Sequence, residues 1–139
     1  MATVSKFDSF VEALMEKKHD LGADTLKLLL TNTAPLATNS VKADLTEITP
    51  GNGYAAGGPP VPITSSSQTG GVYKLIGNDV VITAAAGPIG PFRYVVLYND
   101  TAASKELIGW WDYASPITLA DTETFTVDFS AVDGILSLS

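Results

Sequence analysis

His19 is the only histidine of the chain, and it is followed by Asp20 and Asp24. A zinc-type site needs three or four matched ligands, and this cluster offers one imidazole and carboxylates alone. The competing reading is a histidine at a helix C-terminus, where the dipole favours a cation, with the two aspartates in the following turn. The sequence favours that reading, so no metal site is expected. Asp100, Glu106 and Asp112 flank an aromatic stretch. Paired carboxylates can perform glycoside hydrolysis, but an acidic chain offers such pairs almost anywhere. The G-x-S-x-G turn, the P-loop and the H-E-x-x-H helix are missing. The run Gly57-Gly58-Pro59-Pro60 is unsuited to phosphate, because its prolines remove the donors that such a loop needs. There is no cysteine, which excludes disulfides, thiolate metal sites and a cysteine nucleophile, and Arg93 is the single arginine. A non-enzymatic chain without a cofactor is the expectation.

The residues able to bind a partner are apolar and aromatic. Phe7, Phe10, Val11, Leu14 and Met15 recur at steps of three and four, the spacing of one helical face. Such a face either packs on its own domain or docks on another chain. Trp110 and Trp111 are adjacent, so on a strand their indoles point to opposite faces. One is expected in the core and the other outside or in a second packing layer. For the pair, full burial, a protein interface and a sugar-stacking platform stay open. Tyr54 sits in a Gly- and Pro-rich stretch, 50–62, without charge. That loop is either locked by turns or laid against a partner.

The elements that position these groups follow from periodicity. Residues 5–18 carry the only helical pattern, with Ser5 as N-cap, Asp8 in the first turn and Lys17 and Lys18 near the C-terminus. Gly22 marks the exit. Beyond it the pattern changes to period two. Strands are expected over 25–31, 63–67, 72–76, 79–84, 92–98, 106–113, 116–119, 124–129 and 134–138, with 41–48 ambiguous. Phe92–Tyr98 is apolar or aromatic on both faces and belongs near the centre of a sheet. Short strands with turn signals every eight to twelve residues, and no alternating helices, predict a mainly β fold. It is an antiparallel β-sandwich or jelly roll with one short N-terminal amphipathic helix. The expected organisation is a helix or arm over 1–22 and a β-domain over 23–139.

The 139 residues suffice for one core. A net charge of −7 repels nucleic acid and anionic lipid, so neither is an expected partner. No apolar run approaches the length of a membrane span, and the first residues do not read as a secretory signal. Synthesis and folding in the cytoplasm are therefore expected.

Three segments carry a resemblance: His19–Lys27, Leu45–Gly58 and Pro91–Asp100, continued by Leu107–Tyr113 and the strand at Phe125–Phe129. Across nearly its whole length the chain resembles small virion structural proteins of tailed bacteriophages, nearest to capsid cement (decoration) proteins. The resemblance implies a jelly roll without an active site that binds the outside of the major capsid protein shell. It implies a clamp on neighbouring capsid subunits against internal DNA pressure, assembly in the host cytoplasm, and a homodimer, with a trimer as the alternative. The expected anchors are Phe7, Phe10, Val11, Leu14 and Met15, with Tyr54, Trp110 and Trp111. The competing class is a receptor- or carbohydrate-binding jelly roll of a tail fibre, which shares the fold.

Overall fold

The computed structural model describes residues 4–139. The chain is mainly β, its sheets are antiparallel, and it has one short helix. The centre is a hairpin of two long strands, β6 (Ile89–Asn99) and β7 (Leu107–Leu119). Their aromatic and β-branched residues favour an extended chain buried on both faces. Two earlier strands flank the hairpin: β1 (Ser5–Lys6) lies on β7, and β2 (Leu26–Thr31) lies on β6, in the order β1-β7-β6-β2. A second sheet joins β3 (Ile63–Thr69), β4 (Val72–Gly77) and β9 (Leu136–Leu138), in that order. A third joins β5 (Val80–Thr83) to β8 (Thr124–Val127).

Register decides where the side chains go. Leu30, Val95 and Trp111 lie side by side across β2, β6 and β7, and all three enter the main core with Leu75, Val127 and Phe129. One residue along each strand, Leu29, Val96 and Trp110 lie side by side and face the other way. There a second apolar layer forms from Leu29, Val96, Tyr98, Leu107 and Phe7, with Leu45 and Trp110 against it. The four-stranded sheet is thus covered on both faces, which explains its near-continuous apolar sequence.

Several sequence expectations change in detail. The helix, α1, runs only from Asp8 to Met15, and Phe7, not Ser5, occupies the capping position. Ser5 and Lys6 are instead taken by the edge of β7, opposite Trp110 and Gly109. Lys17 and Lys18 fall beyond the last turn, and Lys17 takes a left-handed backbone. The ambiguous stretch 41–48 contains a single 3-10 turn, Lys42–Asp44, whose Asp44 carboxylate accepts the amides of Ser40 and Val41. Those two amides hold the Asp44 carboxyl below the usual carboxylate range. The expected strand 116–119 is the far end of β7, and the chain passes Gly90-Pro91 without leaving β6 because a register shift absorbs them.

The loop after residue 48 is locked against β2. The Ile48 amide donates to the Leu30 carbonyl (3.1 Å), Leu28 donates to Pro59 (3.0 Å), and Val61 donates to Leu26 (2.8 Å). These bonds satisfy an edge that would otherwise present free backbone groups. Gly58 makes the close approach possible. Its φ is +82°, and a Cβ there would overlap the Leu28 carbonyl oxygen.

Candidate docking groove

An open groove of about 790 Å³ lies between the N-terminal segment and the C-terminal strand. One wall is Val4 with Phe10 and Leu14 of α1, the other is Leu136 and Leu138 of β9, and Ile108 lies between. The walls arise because the two main sheets end there: β1 closes one sheet and β9 closes the other. Lys6, Lys17, Asp20 and Asp133 bring both signs of charge to its lining. Elsewhere on α1, outside the lining, Met15 is 79% exposed and Val11 50%, and Leu138 on the wall is 56% exposed. A mostly apolar groove open to solvent is a candidate contact surface.

His19 contributes to this lining. It is buried, and its ring stacks obliquely on Phe10 at 5.4 Å. The Asn99 side-chain amide donates to His19 Nδ1 at 3.0 Å and to the Asp24 carboxylate at 2.6 Å. Asn99 Oδ1 in turn accepts the amides of Thr101 and Ala102. Nδ1 therefore acts as acceptor, which places the proton of the neutral ring on Nε2. His19 Nε2 and Glu106 Oε2 are buried without a hydrogen-bond partner. Burial lowers the His19 pKa, against the pull of the Glu106 and Asp24 carboxylates. The sequence reading of a helix C-terminal histidine stabilised by the dipole is corrected here: α1 ends at Met15, and the buried ring lies beyond it, tied through Asn99 to the turn before β2 and the end of β6. Among the described residues no cluster of three or more metal-ligating side chains occurs.

Of the three carboxylates that flank the aromatic stretch, Asp112 and Asp100 are paired with cations, and Glu106 is not among the ion pairs. Asp112 receives a two-pronged contact from Arg93, at 2.7 and 3.0 Å, and both pKa values move apart because of it. Asp100 binds Lys105 at 2.9 Å and Lys27 at 3.2 Å, and its carboxyl is held down chiefly by Lys105.

The anchors expected from the sequence separate into two groups. Phe7 and Phe10 are buried in the chain's own body, Phe7 against Trp110 at 4.6 Å. Trp111 is in the main core, 5.8 Å from Phe129. Trp110 is half-buried in the second layer. Tyr54 is also interior. Its hydroxyl donates to Glu47 Oε2 at 2.7 Å and accepts the Leu30 amide at 3.1 Å. Phe7, Tyr54 and Trp111 thus fill sites within the chain's own fold, whereas Phe10, though largely buried, still lines the groove. Val11, Met15 and the groove side of Leu14 remain available. The described part of the 1–22 segment is likewise part of the body, through β1 and Phe7; residues 1–3 lie outside the described residues. Sequence reasoning missed β9 as a groove wall, since Leu136 and Leu138 read only as another alternating strand.

No family model, curated protein or solved structure matches the chain. No helix among the described residues is long and apolar enough to cross a membrane.

Proposed function

We propose that the chain is a non-enzymatic capsid cement protein of a tailed bacteriophage. On this reading it binds the outside of the major capsid protein shell and clamps neighbouring subunits against internal DNA pressure. The observation that carries the reading is the open apolar groove, set between two sheet ends and with exposed Leu138 on its wall. A β-framework with an open, mostly apolar cleft suits a protein whose task is to hold another surface. Each contact is modest in area, and several contacts per oligomer raise the effective affinity by about 10²-fold or more.

The test uses shells assembled without the protein. Wild-type chain is added, unbound protein is removed, and bound copies are counted. The variants Met15→Asp and Leu138→Asp place a charge on the groove's exposed surroundings without touching the core. Occupancy should fall about tenfold or more, the effect of losing roughly 1.4 kcal/mol per site, while the melting temperature stays that of wild type. Normal occupancy by both variants, or no binding of wild type, overturns the proposal. Binding confined to a tail tip supports the receptor-binding class instead.

A further inference from the structure

Sheet edges are sites where chains join, and proteins blunt them with charge, proline, bulges or covering loops. The edge of β2 is covered by the 48–61 loop, and β1 and β9 are two and three residues long. The edge of β3 is different. It is seven residues long, pairs with β4 on one side, and no backbone hydrogen bond among the described residues reaches its other side over 64–69. Its sequence, Ile-Thr-Ser-Ser-Ser-Gln-Thr, contains no charge and no proline. The one bulge lies at its start, between Ile63 and Ser65, and leaves Ser65–Thr69 in unbroken register. Gly70 and Gly71, both at positive φ, close a tight turn to β4, so the hairpin projects with Ser66–Thr69 exposed.

We propose that β3 pairs edge to edge, antiparallel, with β3 of a second copy of this chain. Charge selects that partner. Each chain carries −7, and most approaches of two copies bring acids together. This edge is neutral, so two copies meet along it without like-charge opposition. The edge is also self-complementary. A two-fold axis across β3 sets serine, threonine and glutamine side chains opposite one another, and such hydroxyl pairs hydrogen-bond across strands. The five residues in unbroken register, Ser65–Thr69, centred on Ser67, give a seam of about 17 Å. The two three-stranded sheets become one six-stranded sheet. Of the groove residues only Ser66 belongs to this strand, so each copy keeps a groove of its own. The inference stands apart from the cement reading, and if both hold, the dimer is the two-armed clamp.

The experiment measures mass by light scattering over a concentration series, together with crosslinking. Wild type should approach twice 14.5 kDa. Ser67→Lys puts two ammonium groups at the seam and should weaken dimerisation at least about tenfold. The chain has no cysteine, so Ser67→Cys supplies a single thiol, which should form a covalent dimer on mild oxidation. Val81→Cys, exposed on β5, is the control and should crosslink far more slowly. A wild-type monomer up to about 300 µM, the range of a weak contact, overturns the proposal. So does a dimer that Ser67→Lys leaves intact, or crosslinking at position 67 no faster than at 81. Shell binding is not read here, so failure of this test and failure of the groove variants are separate results.

Discussion

Replacing Tyr54 by phenylalanine removes one oxygen atom from the interior and should cost about 3 kcal/mol. The hydroxyl joins three segments: it donates to Glu47 Oε2, accepts the Leu30 amide, and sits on a residue of the loop that covers β2. Burial, then the bond to Glu47, pushes the Tyr54 pKa far upward, so the hydroxyl keeps its proton and remains a donor across the accessible pH range. Without it the Leu30 amide, at a fully buried residue, has no partner. An unsatisfied buried donor costs about 1–3 kcal/mol, and a bond to a charged group contributes about 1.5–3 kcal/mol. The two overlap, because Glu47 Oε2 still accepts the Gly57 amide at 2.6 Å and Lys42 stands 3.8 Å from its other oxygen. The assay is urea unfolding followed by tryptophan fluorescence. With a slope near 1.5 kcal/mol/M, a loss of about 3 kcal/mol moves the midpoint down by about 2 M. Tyr73→Phe is the control: its hydroxyl meets only the exposed Ser66, so its midpoint should barely move. A Tyr54→Phe midpoint within about 0.3 M of wild type, less than 0.5 kcal/mol at that slope, refutes the reasoning.

Gly58→Ala should cost more than the conformational term alone, several kcal/mol, because the new methyl overlaps the Leu28 carbonyl and the backbone is left-handed; a melting temperature equal to wild type contradicts this. Val96→Asp, at a fully buried position of the second layer, should abolish cooperative folding, and a soluble variant with a sharp thermal transition disproves it. His19 titrates lower in the folded chain than its ordinary 6.5 because it is buried. The unfolded state therefore binds the proton first, and stability present above pH 6.5 should fall as pH drops toward the folded value. Urea midpoints at pH 7.5, 6.5 and 5.5 should decline, and His19→Gln should flatten that decline; a midpoint that is constant or rises on acidification is the contrary result. The low-lying carboxyls of Asp44, Asp100 and Asp112 act below this window, since their values lie beneath 3.8.

The mainly β class and its principal strands were legible because their signals are local. Leu26–Thr31 and Phe92–Tyr98 announce themselves by composition, and the alternation of Phe125 and Val127 places one face inward. The adjacent indoles were also readable: period two alone sends Trp111 to one face and Trp110 to the other, as β7 places them. What could not be read depends on partners far along the chain. The helical pattern of 5–18 is real, yet Ser5 and Lys6 are drawn into a strand by the edge of β7, which no periodicity reveals. For Phe7 and Phe10 the sequence left packing on the chain's own body and docking on another chain equally open, because it does not say which side of a helix is already occupied. For Tyr54 the sequence left a turn-locked loop and one laid against a partner open, because the covering of β2 is a tertiary event. The groove was hidden for the same reason, since its two walls come from opposite ends of the chain.

The central sheet draws its outer strands, β1 and β2, from the beginning of the chain and its inner pair, β6 and β7, from the later part. A ribosome delivers them in the wrong order for immediate pairing. Leu26–Thr31 emerges with four leucines and waits for Tyr94–Asn99, its partner in β6. At translation rates of about 5–20 residues per second, that wait lasts roughly 3–15 s. Throughout it, a short apolar segment of high strand propensity stands unpaired on a nascent chain. The loop that seals the outer edge of β2 leaves the ribosome before β6 does. The segment that closes the finished sheet on one side is therefore made well before the strand that closes it on the other.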